Sequence, residues 1–159
     1  GCQRPDVFAG IASVSAAYYD AIHKGCSDKP LSRLDIHGTD DPIISYFGGT
    51  RHDTPYNSVP DVLSEDARRN QCDNAVDTTR ISTTAFRQSW VGCEKPLVHI
   101  RIGGGSHTWP GGSTDKKSED GRHFATDKIL DFFHIPGRPD GTEDKEKEID
   151  DTPKREPSP

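Results

Sequence analysis

The chain has 159 residues, of which 30% are hydrophobic and 29% charged, with a formal net charge of −6 and no methionine. The length suits one ordinary domain of about 100 to 200 residues. The basic residues Arg33, Arg51, Arg68, Arg69, Arg80, Arg87 and Arg101 are scattered among acids, so the Lys/Arg stripe that a nucleic acid or an anionic membrane requires is missing and neither partner is expected.

In chain order, CQRPDV reads as the end of a helix stopped near Pro5. Phe8 to Ala16 mixes apolar and small residues without helical period, as a short strand buried on both faces of a parallel sheet does. Leu31 to His37 is a second strand candidate, weaker because it alternates, and it ends at Gly38. Pro60 to Asn70 predicts a helix, with proline in the first turn, acids early and arginines late, in agreement with the helix dipole. Thr78 to Trp90 is rich in β-branched and aromatic residues and suggests an antiparallel hairpin or excursion. Pro96 to Ile102 is the best strand, and three glycines end it. Ala125 to Phe133 predicts a short amphipathic closing helix. From Pro136 to Pro159 there are five basic and eight acidic residues, five prolines and a single aliphatic residue, Ile149. That composition cannot bury enough apolar surface to offset its ordering entropy, so residues 136–159 are expected to form a disordered charged tail behind a folding unit of residues 1–135.

Strands alternating with helices argue for an α/β layered sheet with parallel strands. Three or four strands make a thin sheet, and its missing neighbours are expected upstream of Gly1, a start read as processed or truncated. No apolar run approaches the roughly 18 residues of a membrane span, and GCQRPDVF has no signal-peptide layout. Cys2, Cys26, Cys72 and Cys93 form an even set with no C-x-x-C pair, which makes a zinc cluster a poor reading. Cys72 and Cys93 bracket a compact segment and are expected to be bridged, while Cys2 pairs with Cys26 or with a residue outside the chain. Disulfides fit an exported protein, and free buried thiols in a cytosolic one are the alternative.

Two loops could carry chemistry, because ligand-handling residues in open α/β sheets gather at the carboxyl ends of strands. One is His37-Gly38-Thr39-Asp40-Asp41-Pro42, the other Gly103-Gly104-Gly105-Ser106-His107-Thr108-Trp109-Pro110-Gly111. A carboxylate on the first and an imidazole on the second could form an acid–base pair that activates a nucleophile. Read on composition alone, the first loop is equally a turn with solvated aspartates and the second a loop with a solvated histidine. The glycine run leads into no helix and has neither dinucleotide nor P-loop spacing. His99, in mid-strand, reads as structural; His37, His52 and Asp53 match no metal-ligand pattern; His23, His123 and His134 read as surface residues.

HGTDDPIISY followed by GGGSHTWPG resembles the acid and histidine loops of the feruloyl esterases and polyhydroxybutyrate-depolymerase-like esterases within the α/β hydrolases. GCQRPDVFAGIASVSAAYYD resembles the helix end and strand that follow the nucleophile elbow, and ATDKILDFF the last helix, so the likeness, nearest to fungal type C feruloyl esterases, covers about residues 1–133. It implies an α/β-hydrolase-like fold represented by the C-terminal half of its parallel sheet. It also implies Asp41 as the triad acid, with Asp40 a decoy, and His107 as the base. Trp109 lines the acyl pocket or packs on its own scaffold. No metal or organic cofactor is implied.

The family's order is Ser, acid, His, which places the serine before Asp41. Ser13, Ser15, Ser27 and Ser32 precede it, and none lies in G-x-S-x-G. The nucleophile and the oxyanion-hole loop are therefore expected outside this sequence, and the chain by itself is expected to be inactive. The implied parent is a secreted serine esterase acting on feruloylated plant cell-wall polysaccharide or a small aromatic ester. The alternatives are an acetyl-xylan or polyhydroxyalkanoate esterase and a non-catalytic, disulfide-stapled extracellular binding module.

Overall fold

The structure, a computed structural model, describes residues 1–20, 24–113, 115 and 121–136. The expectation of a disordered tail concerns residues 136–159, all but the first of which lie outside the described residues. Five strands form a mixed sheet in the order β1 (Gly10–Val14), β3 (Ser32–Gly38), β8 (Leu97–Ile102), β7 (Ala85–Trp90), β6 (Val76–Arg80). The first three are parallel, and β7 and β6 continue the sheet antiparallel. Helix α1 (Val59–Arg69) and helix α2 (Phe124–Phe132) pack against it, giving a small α/β arrangement. Among the described residues no helix is long and apolar enough to cross a membrane.

Two features differ from the sequence reading. CQRPDV forms a turn instead of a helix end, closed by the Val7 N–H donating to the Arg4 carbonyl at 3.0 Å. Pro5 has no N–H to continue a helix, and Cys2 is tied to Cys26. A second sheet was not foreseen: β2 (Tyr18–Tyr19), β5 (Thr54–Asn57) and β4 (Gly49–Arg51) pair antiparallel. The two-residue turn between β4 and β5 has φ of 50° at His52 and 56° at Asp53, a conformation that sequence usually announces with Asn-Gly.

The two faces of the main sheet differ in chemistry. Leu34, Ile36, Val98, Ile100 and Ile102 pack with Phe124 and Ala125 of α2 in an apolar layer. Strand periodicity turns Arg33, Asp35 and His37 of β3, with Leu97 and His99 of β8, to the opposite face, and all five are buried. This face meets α1 through Val59, Val62 and Leu63, with Tyr18 and Tyr46 beside them. Ser58 caps α1, accepting the Asp61 N–H at 3.2 Å. The alternation that weakened β3 as a strand candidate is real, but its polar side is covered by protein.

Burying that polar side requires internal partners. His99 Nδ1 lies 2.8 Å from Asp35 Oδ2, and the other Asp35 oxygen accepts the hydroxyls of Tyr18 and Ser13. Arg33 Nε reaches Asp66 of α1 at 2.7 Å, and Asp66 also holds Arg69 at 2.6 Å. Burial alone would raise the pKa of Asp35, but the His99 hydrogen bond and charge, followed by the Arg33 charge and the Tyr18 hydroxyl, hold it well below its ordinary 3.8. Burial and then the Asp35 charge push the Tyr18 hydroxyl upward, which keeps it protonated as a donor.

Two expected outcomes follow from this packing. Because Asp35 is a stronger acid folded than unfolded, its stabilisation is complete above about pH 4 and disappears as pH falls below that. Asp35→Ala should therefore cost about 3–5 kcal/mol in urea unfolding at pH 7, and the gap to wild type should narrow below pH 4; a loss under about 1 kcal/mol at pH 7 would contradict the network's role. The second concerns the bridges Cys2–Cys26 and Cys72–Cys93, which leave no free cysteine. Cys72→Ser with Cys93→Ser opens a loop of sequence separation 21 and should destabilise the fold by about 3 kcal/mol. Titration of the unreduced, denatured wild type with a thiol reagent should find no thiol.

Candidate active site

The two glycine-containing loops leave adjacent parallel strands, because Gly38 at the end of β3 pairs with Ile102 at the end of β8. Past that pair the strands stay joined: the Thr39 N–H donates to the Ile102 carbonyl at 2.9 Å and the Asp40 N–H to the Gly105 carbonyl at 3.0 Å. The Gly104 N–H donates to Thr39 Oγ1 at 2.9 Å. A Cβ on Gly38 would sit 2.2 Å from the Gly105 carbonyl oxygen, and one on Gly105 would sit 2.9 Å from the Gly38 Cα. Only glycine at both positions permits this approach.

The approach delivers the Asp41 side chain, which is fully buried, to His107. Asp41 Oδ1 accepts the N–H groups of Ile43 and Ile44, each at 2.8 Å. Asp41 Oδ2 lies 2.9 Å from His107 Nδ1. An ionised carboxylate only accepts, so the proton of this bond belongs to Nδ1, and in the neutral ring His107 Nε2 keeps a lone pair. The His107 side chain is 38% exposed. Asp40, by contrast, lies exposed and receives the Thr39 hydroxyl at 3.2 Å. The pairing thus involves Asp41 and not its neighbour.

Among the described residues no serine hydroxyl hydrogen-bonds the His107 ring. Ser13 bonds Asp35 and Tyr18, and the Ser15 hydroxyl donates to the Thr108 carbonyl at 3.2 Å. Trp109 is 46% exposed and donates its indole N–H to Thr126 Oγ1 of α2 at 3.2 Å. A cleft of about 840 Å³ opens beside α1, lined by Tyr46, Leu63, Arg68, Trp90 and Arg101 among others, and neither Asp41 nor His107 borders it. Among the described residues no three His, Cys, Asp or Glu side chains are grouped to hold a metal ion; His52 and Asp53 occupy a hairpin tip, whereas His37 is buried.

In the sequence His37 opens the acid loop and reads as a poor metal ligand, and His99 reads as structural, as its burial and two partners agree. His37 in fact lies against the acid, with Nε2 at 3.4 Å from Asp41 Oδ2. His99 bridges Asp35 and the Tyr46 hydroxyl, the latter at 3.0 Å from His99 Nε2. The available signal was positional: His37 and His99 share the polar sheet face with Asp35, and His37 stands four residues before Asp41.

Gly38→Ala should force the two loops apart and cost about 1–3 kcal/mol, as overpacking does. A thermal or urea transition equal to that of wild type would show that the contact is loose. A search for relatives finds neither a family model that matches this chain nor a significantly similar characterised protein.

Proposed function

We propose that this chain contributes the acid and the base of a serine-esterase triad, Asp41 and His107, in the C-terminal part of an α/β-hydrolase-type enzyme. The observation that carries the reading is the 2.9 Å bond between a fully buried carboxylate and a partly exposed imidazole at the carboxyl ends of adjacent parallel strands. In that reading the serine lies outside these 159 residues, since no G-x-S-x-G occurs among them. His107 Nε2 takes the serine proton as the hydroxyl attacks the ester carbonyl, and the alcohol leaves with a proton returned from the imidazolium. Water then attacks the acyl-enzyme with His107 again as base, while Asp41 holds the ring and stabilises its charged form. The resemblance of the two loops favours feruloyl and related hydroxycinnamoyl esters of cell-wall polysaccharide, with Trp109 near the acyl group. Two disulfides support export.

In the complete enzyme, Asp41→Ala should lower turnover of methyl ferulate by about 10³–10⁴-fold, as loss of a triad acid does, and Asp40→Ala should change it little. Equal losses would reject the assignment of the acid. The 159-residue chain alone should hydrolyse neither methyl ferulate nor a p-nitrophenyl ester. Turnover that His107→Ala abolishes would put the nucleophile within this chain, at Ser13 or Ser15 in the first place.

A further inference from the structure

His37 is buried, titratable, and unused by the mechanism above. We infer that it is a positioning residue for the acid: a neutral imidazole carrying its proton on Nε2, which fixes the Asp41 carboxylate and leaves its charge to His107. The inference deepens the proposed function and rests on the Asp41–His107 pairing.

The geometry forms a closed circuit. Ile44 donates its N–H to Asp41 Oδ1 at 2.8 Å, and its carbonyl oxygen lies 3.0 Å from His37 Nε2. A carbonyl only accepts, so Nε2 must bear the proton. The same nitrogen stands 3.4 Å from Asp41 Oδ2, the oxygen that His107 uses. His37 therefore clamps the peptide that clamps the carboxylate, and it flanks the second oxygen directly.

The ring itself is held in place. His37 belongs to β3, opposite Arg101 of β8, and its ring meets that of Tyr46 edge-on, with centroids 5.9 Å apart. Tyr46 is anchored in turn: its hydroxyl lies 3.0 Å from His99 Nε2, and His99 Nδ1 lies 2.8 Å from Asp35 Oδ2. The charge state follows from the other nitrogen. His37 Nδ1 is buried and has no hydrogen-bond partner among the described residues. A proton there would be a donor without an acceptor, a costlier arrangement than a lone pair. Keeping His37 neutral also prevents a second cation from competing with His107 for Asp41.

The test uses the 159-residue chain with ¹⁵N-labelled histidine, and needs no turnover. Long-range ¹H–¹⁵N spectra at neutral pH should show His37 as the Nε2–H tautomer and His107 with a low-field Nδ1 proton. His37→Phe keeps a ring but removes the donor, and should abolish the low-field signal; His37→Gln, whose amide restores a donor near the Nε2 position, should retain it. Circular dichroism of both variants checks that the fold persists. A His107 signal unchanged in His37→Phe overturns the inference. So does an Nδ1–H tautomer or a cationic His37 in wild type, a result that stands even if His37→Phe fails to fold. Absence of the low-field His107 proton in wild type would instead sink the Asp41–His107 pairing on which the inference rests.

Discussion

Parallel pairing of β3 with β8 ends at Gly38 opposite Ile102, and everything at the candidate site depends on what happens in the next three residues of each strand. Two chains leaving a sheet normally diverge, since each loop carries side chains that need room. Here the contact is backbone on backbone, Gly38 against Gly105, and hydrogen bonds continue beyond the ladder. A carboxylate and an imidazole 66 positions apart in sequence are thereby brought to 2.9 Å. Two glycines set a separation that side-chain packing alone could not reach.

The polar face of the sheet supports the same site from beneath. Buried ion pairs contribute little net stability, because desolvation offsets most of their attraction, but removing one partner is costly. The arrangement of Arg33, Asp35, Asp66 and His99 is accordingly better understood as fixing one geometry than as a source of stability. Tyr46 links it to the acid loop, its ring in contact with both His99 and His37. The α2 face works by a different principle, with apolar area removed from water and no directional demand. One sheet thus has a face that supplies stability and a face that supplies orientation.

The helices and the parallel strands were legible because their signals are local: Pro60 and the late arginines for α1, the segment Leu97–Ile102 ended by three glycines for β8. The β4–β5 hairpin was not, since His52 and Asp53 adopt a turn that Asn-Gly or Asp-Gly would announce and His-Asp signals only weakly. The polar alternation of Arg33, Asp35 and His37 resembles a solvated face until partners far along the chain are known: Asp66 lies 33 positions beyond Arg33, and His99 lies 64 beyond Asp35. Asp41 and His107 could be singled out only through the motifs around them, for nothing local distinguishes a buried carboxylate in Asp40-Asp41 from its exposed neighbour. His37 went unrecognised because its partner, the Ile44 carbonyl, is backbone and leaves no mark on the sequence.

The start of α2 is fastened to the histidine loop mainly by main chain. His123, the residue before the helix, has φ of 63° and makes no capping bond with its side chain. Instead the N–H of Ala125 donates to the Pro110 carbonyl at 3.0 Å and that of His123 to the Gly111 carbonyl at 2.9 Å. Trp109 adds its bond to Thr126. Fraying of the first turn of α2 would therefore release these bonds and loosen the loop that holds His107 beside Asp41. Amide exchange at Ala125 would then be a clock for the imidazole, read from a helix that carries no chemistry of its own.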